Sequence, residues 1–473
     1  MSFTRLVDLT ATVIFLSLTF MLFEPGMAPA VFSQEVEAVT YLTMEQAVSR
    51  ALVKNNQVLS GRFALQKAIW DKRNAWTQLL PYVSLNSRMM RIDDQTFAER
   101  DFRRYLPEPI RSEIPQTVFQ ESFYTSLDLT LPVFNSALLN SIAIANSNKN
   151  MAASMSQSTR QNIIYQVVST YLTILKNKDI LQLQRDYLDL SQMNYDKAER
   201  MYNAGRFSKS EALRWKVDFQ QQKSVVVSNE AQVRSHRKLL NRLLNIKFDE
   251  EIEIQSDVPQ QVENESQKLL QMTNDELLHL IEVNDEQLIK VNAALQAARS
   301  NTETSKHFYQ NAYTSCLPNV SLSYSYGWRE NNTVALDDYS PRTLMLNLQM
   351  PLFTSFQNYT AIKSSYYQYR QSQEDFYDQL QNTRFFLTET VNKLIELKTQ
   401  RELSQVSLEY SDLNYRIVEQ QKEQGLVSNL DFIDAKLNLQ NAKLNDISAH
   451  YDFITAMVEL YYLLGKVDVL WRK

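Results

Sequence analysis

Two periodicities divide the chain. In "NVSLSYSYGW" (319–328), Val320, Leu322, Tyr324, Tyr326 and Trp328 point one way, and Asn319, Ser321, Ser323, Ser325 and Gly327 the other. In "FYTSLDLTLPV" (123–133), Phe123, Leu127, Leu129, Leu131 and Val133 alternate with Tyr124, Ser126, Asp128 and Thr130. "TLMLNLQMPL" (343–352) alternates likewise, and "YVSLNSRMMRI" (82–92) does so less cleanly. Period two predicts four strands, each with one apolar and one polar face. A half-buried soluble sheet would produce this pattern. So would a transmembrane barrel with strands of about ten residues, apolar toward lipid. Four strands cannot close a barrel alone, because about eight is the practical minimum. The barrel reading therefore requires several chains.

The longer stretches carry apolar residues every three or four positions. Residues 136–204 and 354–424 contain neither proline nor internal glycine, and as continuous helices each would reach roughly 100 Å. Leu403, Val406, Tyr410, Leu413 and Ile417 keep a heptad rhythm. It resumes through Leu430, Ile433, Leu437, Gln440, Leu444, Ile447, Tyr451, Ile454 and Val458. Earlier in the chain, Ala212, Trp215, Phe219, Gln222, Val226, Asn229, Val233, His236, Leu240 and Leu243 do the same. Rods of this length project as coiled coil, and His236 reads as a seam residue rather than a catalytic one.

The pattern is written twice. "LLPYVSL" (79–85) resembles "CLPNVSLSYSY" (316–326), and "LDLTLPVF" (127–134) resembles "LNLQMPLF" (346–353). Pro132 and Pro351 are separated by 219 residues, Gly205 and Gly425 by 220, but Pro81 and Pro318 by 237. Repeat one thus holds about 18 extra residues within 91–120, a charged, proline-bearing stretch that reads as a long loop. Repeat one spans 34–250, with strands about 82–92 and 121–134 and a helical hairpin turning at 205–208. A polar linker occupies 251–272. Repeat two spans 273–473, with strands about 319–328 and 343–353 and a turn at 425–428.

Both turns use one device. A glycine ends a helix, a serine follows three residues later and a carboxylate three after that: Gly205/Ser208/Glu211 and Gly425/Ser428/Asp431. Glycine supplies a left-handed residue. Serine and the acid at the third helical position then form a capping box for the returning helix. Capping accounts for the motif by itself. The turns also lie at the far ends of rods, where a docking partner or a constriction would be met. Asp434 shares a helical face with Asp431, so several chains around an axis would stack acidic rings; repeat one offers Glu211 but has Arg214 at the second place.

Composition narrows the chemistry. The 473 residues are 44% hydrophobic and 22% charged, enough for a sizeable core, and carry six glycines. A net charge of −5 lacks the footprint of a nucleic-acid binder. The lone Cys316 excludes an intrachain disulfide, and His236, His279, His307 and His450 are scattered without ligand spacing. No phosphate-binding glycine loop or nucleophile elbow is present, so no catalytic, cofactor or metal site is expected. Arg5, the apolar run 9–23 and "APAVFSQE" (28–35) read as an export signal over 1–33, against the alternative of an uncleaved anchor.

The opening "LTMEQAVSRALVKNNQVL" (42–59), the paired Leu-Pro strand starts, the paired Pro-hydrophobic-Phe strand ends and the two turn motifs together resemble outer-membrane efflux proteins of the TolC family. The resemblance covers essentially the whole mature chain. It implies a mainly helical fold with a small β part: a long antiparallel coiled-coil tunnel beneath a twelve-stranded barrel shared by a homotrimer, four strands per chain. It implies an outer-membrane location in a Gram-negative bacterium, with the tunnel in the periplasm, and contact with outer-membrane lipid. It implies a passive, non-enzymatic exit duct of a tripartite efflux or type I secretion system, partnered by a periplasmic adaptor and an inner-membrane pump. By the same match, Gly205, Arg206, Phe207, Ser208 and Gly425, Leu426, Val427, Ser428 form the adaptor-docking tip, and Asp431, Asp434 and Glu211 line the periplasmic aperture. Relatives often place an arginine two residues after the second glycine and a tyrosine three before it. Here those positions are Val427 and Lys422, while Tyr202 holds the latter place in repeat one, a departure that bears on the bonds closing the tip. The alternative is a periplasmic adaptor or coiled-coil protein without a pore, although glycine scarcity and the clean duplication oppose it.

Overall fold

The computed structural model describes residues 41–248, 250–330 and 342–471. The expected export signal lies outside them.

Chain reversal and helix capping set the order of elements. Thr43 caps α1 (Met44–Lys54) in a capping box, and Asn55 breaks it from α2 (Asn56–Thr77) by capping the latter. β1 (Tyr82–Arg91) follows. The 91–120 stretch is not bare loop: α3 (Asp94–Arg100), a 3-10 turn (Phe102–Tyr105) and α4 (Glu108–Arg111) lie within it, each short and without a buried residue. β2 (Glu121–Phe134) then leads into α5 (Ser136–Asn203), 68 residues long, which returns through α6 (Lys209–Leu243). After α7 (Gln260–Gln271), α8 (Asn274–His279) and α9 (Asp285–Val291), repeat two has α10 (Ala293–Thr314), β3 (Asn319–Glu330) and β4 (Arg342–Gln349). It ends with α11 (Gln357–Glu423), α12 (Asn429–Leu463) and a 3-10 turn (Val467–Leu470).

The sheet is antiparallel throughout, in the order β1-β2-β3-β4. Its register places Val83, Leu85 and Met89 beside Leu129, Leu127 and Phe123. Leu131, Leu129 and Leu127 pair onward with Leu322, Tyr324 and Tyr326, and Leu322 and Tyr324 with Leu346 and Leu344. These residues share one face because pairing keeps parity across strands. Trp328 stands edge to face on Tyr326, centroids 4.5 Å apart. Asp128 centres the opposite face, accepting from Asn86 Nδ2 and Ser126 Oγ at 2.7 Å each, and from Ser325 Oγ of β3. Pro132 has no N–H to give the ladder; the register shifts between Pro132 and Phe134, leaving Val133 as the extra residue.

The main core lies midway along the long helices. Ile163, Val167, Leu172 and Leu175 of α5 meet Leu387, Val391 and Leu394 of α11 and Phe453, Met457 and Val458 of α12. Each such side chain contributes about 1.5–3 kcal/mol on leaving water. The stretch read as a polar linker belongs to this core. Ile254 forms a parallel bridge with Leu42, and Ile252, Ile254, Val262 and Leu269 are buried. Their periodicity is too short to stand out among the polar residues between them.

Candidate functional site

At the distal end of the helices, both turns adopt the same geometry. Gly205 has φ 74° and Gly425 φ 76°, a region that crowds any Cβ. Arg206 N–H donates to the Met201 carbonyl at 2.8 Å and Gly205 N–H to Tyr202 at 2.9 Å. In repeat two, Leu426 N–H donates to Gln421 at 2.8 Å and Gly425 N–H to Lys422 at 3.0 Å. These paired bonds close the last helical turn. On the far side, Glu211 N–H donates to Ser208 Oγ at 3.2 Å, and Ser208 N–H to the Glu211 carboxylate at 3.2 Å. Asp431 N–H and Ser428 Oγ repeat this at 3.2 Å, and Ser428 N–H reaches the Asp431 carboxylate at 3.1 Å.

The two turns are neighbours. Asn429 Nδ2 donates to Glu211 Oε1 at 3.2 Å. The Ser208 backbone N–H and then this amide hold the Glu211 carboxyl below its ordinary pKa. Arg206, Leu426, Ser208 and Ser428 are exposed, whereas Phe207 packs inward on Trp215, Phe432 and Ala198, and Val427 is half-buried. Asp431 and Asp434 are both exposed on α12, one turn apart.

Above the turns, α6 and α12 meet side by side at a constant separation of 218 residues. Glu211 meets Asn429, Asp218 meets Lys436 at 2.9 Å, and Gln222 meets Gln440 at 3.2 Å. A constant separation kept over steps of seven and four means that the two helices run parallel, with side chains bridging from one to the other. Helix α5 joins them: Ser191 accepts from Lys436 Nζ at 2.7 Å and Gln184 Oε1 from Gln440 at 2.8 Å. Lys436 is only 1% exposed. Heptad reading placed Gln222 and Gln440 on seams but did not include Lys436; the Asp218 that pairs with it lies in the other repeat.

Lys422 lies three residues before Gly425, at the position the family resemblance singled out. Its ammonium lies 3.6 Å from the Phe432 ring centroid and 5.0 Å from that of Trp215. Burial first, then the like charges of Lys197 and Lys436, push its pKa down to about 8. The two ring faces offset part of that cost.

The heptad through Leu403, Val406, Tyr410, Leu413 and Ile417 does not face α12. Leu403 and Tyr410 are 67% and 71% exposed, while the intrachain seam of the same helix runs through Leu394, Leu397, Ser404 and Ser411. Helix α11 thus carries two stripes, and the more apolar one is left uncovered by the described residues. The repeat-one heptad is the buried kind: Trp215, Gln222, Val226, Val233 and Leu240 are buried, and His236 lies half-exposed with Nδ1 3.0 Å from the Gln232 carbonyl oxygen.

Among the described residues, no group of three His, Cys, Asp or Glu could hold a metal ion, and no helix is long and apolar enough to cross a membrane. No curated protein sequence matches the chain. Solved structures do. The outer membrane protein VceC of Vibrio cholerae is 15% identical, with a TM-score of 0.72 over 89% of this chain and 96% of that one. The CmeC outer membrane channel of Campylobacter jejuni is 12% identical, with a TM-score of 0.74 over 90% and 86%. The open state of the MtrE outer membrane channel of Neisseria gonorrhoeae is 13% identical, with a TM-score of 0.71 over 91% of each. At these identities the likeness is one of fold, long helices carrying a small antiparallel sheet in two repeats. The family model of the outer membrane efflux proteins matches residues 47–245 and 285–466, most of both repeats, and the chain belongs to that family of outer-membrane channels.

Proposed function

We propose that three copies of the chain pool their sheets into one twelve-stranded barrel and their hairpins into one tube. The assembly is a passive exit duct, fed by an inner-membrane pump through a periplasmic adaptor. The observation that carries this reading is the sheet: among the described residues, four strands, unpaired outer edges on β1 and β4, and one apolar face open to the surroundings. Open hydrophobic edges are an aggregation hazard that closure removes. The uncovered stripe from Leu403 to Ile417 supports partner chains for the helices as well, since a heptad face needs a second helix. The repeats fall into 34–250 and 273–473, with the 251–272 linker joining them and burying Ile252, Ile254, Val262 and Leu269 in the core. Selectivity comes from pore width and charged rings rather than reaction chemistry.

The tip turns, Gly205 to Ser208 and Gly425 to Ser428, dock the adaptor, and Asp431, Asp434 and Glu211 line the aperture. Their support is placement: exposed turns at the helix ends, with acids on the first turn of the returning helices. Protein purified from outer membranes is expected to run as a trimer in detergent and to form cation-blocked pores in planar bilayers. A monomeric particle without conductance overturns the duct. Gly425→Glu places a charge on the exposed turn and is expected to abolish adaptor crosslinking; normal crosslinking and efflux in that variant would reject the docking role.

A further inference from the structure

The two repeats part company at one position of their polar face. Pro132 and Pro351 align the second strand of each repeat, so "LDLTLP" (127–132) lies over "LNLQMP" (346–351) and Asp128 over Asn347. Three strands hold the Asp128 carboxylate at once. Asn86 Nδ2 of β1 and Ser126 Oγ of β2 donate to Oδ2 at 2.7 Å each, and Ser325 Oγ of β3 donates to Oδ1. All three donors are neutral, so they fix the group in place without cancelling its charge. At the matching place in β4 an uncharged side chain suffices, where Asn347 stands in register with Ser321.

Asp128 shares its face with Ser84 and Ser325, its register partners, and with Thr130 and Ser323 one pair nearer the helices. Arg88, exposed and in register with Tyr124, lies four residues further out. In the proposed barrel, twelve strands about 4.8 Å apart and tilted by about 40° put the backbone roughly 12 Å from the axis. A side chain reaching about 4 Å inward brings its carboxylate to roughly 8 Å from that axis, about the screening length at physiological salt. Charges at that radius act across the whole opening, and low-dielectric walls concentrate their field.

We propose that Asp128 is a specificity-determining residue of the duct. Three copies around the lumen form a ring of fixed negative charge that favours cationic over anionic solutes on their way through the barrel. The ring rests on the barrel reading, which turns this face inward. It is separated from the acids of the tip turns by the length of α5, about 100 Å. It holds one carboxylate per chain because repeat two carries Asn347 in the equivalent strand.

A neighbouring thiol reports the local potential. Full-length Cys316→Ser protein carrying Thr130→Cys or Leu346→Cys is reconstituted into phospholipid vesicles and treated with methanethiosulfonates bearing a quaternary ammonium or a sulfonate. The ratio of the two rates cancels changes in thiol reactivity and leaves the electrostatic part. Thr130 lies two residues from Asp128 on the same face, about 7 Å away. A unit charge at that distance in water shifts the ratio about fivefold toward the cation in about 0.01 M salt, and hardly at all in about 1 M. Asp128→Asn keeps the size and an acceptor oxygen, and is expected to remove the preference; Asp128→Glu is expected to keep it. The salt series needs no substitution at Asp128, so it decides even where the Asn variant fails to assemble. A ratio at 130 unmoved by Asp128→Asn or by salt, or a thiol there that neither reagent reaches, overturns the ring and leaves the barrel standing. A thiol at 346 that reacts as fast as the one at 130 overturns both.

Discussion

Asp218→Ala probes the seam that joins the two hairpins. The Lys436 ammonium is buried, 2.9 Å from Asp218 and 2.7 Å from the Ser191 hydroxyl. Removing the carboxylate leaves a cation with a single neutral acceptor, and breaking a buried pair in this way costs about 3–5 kcal/mol. The Asp218 side chain is 14% exposed, so water reaches the vacated space and the lower figure applies. At about 1.4 kcal/mol per tenfold, that is roughly a hundredfold loss of protection against local opening. Hydrogen exchange on the full-length protein in detergent measures it, comparing α12 amides near Lys436 with those near Ile454 in the main core. The paired variant Asp218→Leu with Lys436→Met replaces the ions by apolar groups and should regain most of the protection, because desolvation then favours burial. A change below about threefold in the single variant, under 1 kcal/mol, refutes the reasoning. So does a paired variant as labile as the single one.

Adjacent positions on β4 separate the two faces of the sheet. Leu346→Lys puts a charge on the apolar face, at about 2–4 kcal/mol in mid-bilayer, and should abolish assembled outer-membrane protein, whereas Asn347→Lys on the polar face should assemble normally. Equal outcomes would remove the facing assignment. Asp431→Asn with Asp434→Asn should weaken divalent block of single-channel current; identical currents across divalent concentration would reject the aperture. Lys422 binds its proton less well when folded, with a pKa of about 8 against 10.5. The unfolded state therefore holds more protons between these values, and stability rises with pH across that window. Tip protection should accordingly increase from pH 7.5 to 9.5 in the unaltered protein and stay flat in Lys422→Met; parallel profiles would dismiss the role of this ammonium.

The local signals needed no tertiary help. Period two in 319–328 and 343–352 already assigns each residue to a face, because a strand has only two. Proline- and glycine-free stretches extend α5 and α11 to 68 and 67 residues, since nothing in them interrupts the hydrogen-bond ladder. The glycine, serine and acid spacing specifies both turns, whose bonds all lie within six residues. Glu211 and Asp431 could be placed in capping boxes for the same reason.

Partners are another matter, because a heptad states that a helix face is covered and not by what. Trp215 to Leu240 faces its own chain, and Leu403 to Ile417, with the same rhythm, faces outward. Lys436 stands outside the heptad positions, and its burial follows from Asp218, 218 residues earlier, being brought beside it. Ile252 and Ile254 looked like linker until Leu42 paired with that segment. Phe356, left-handed at φ 64° ahead of α11, carried no mark in the sequence at all, since left-handed backbone at a phenylalanine has no compositional signature. Spacing along the chain settles whatever a single helix or strand does by itself; which surfaces meet, and which stay bare, depends on distances between residues that only folding brings together.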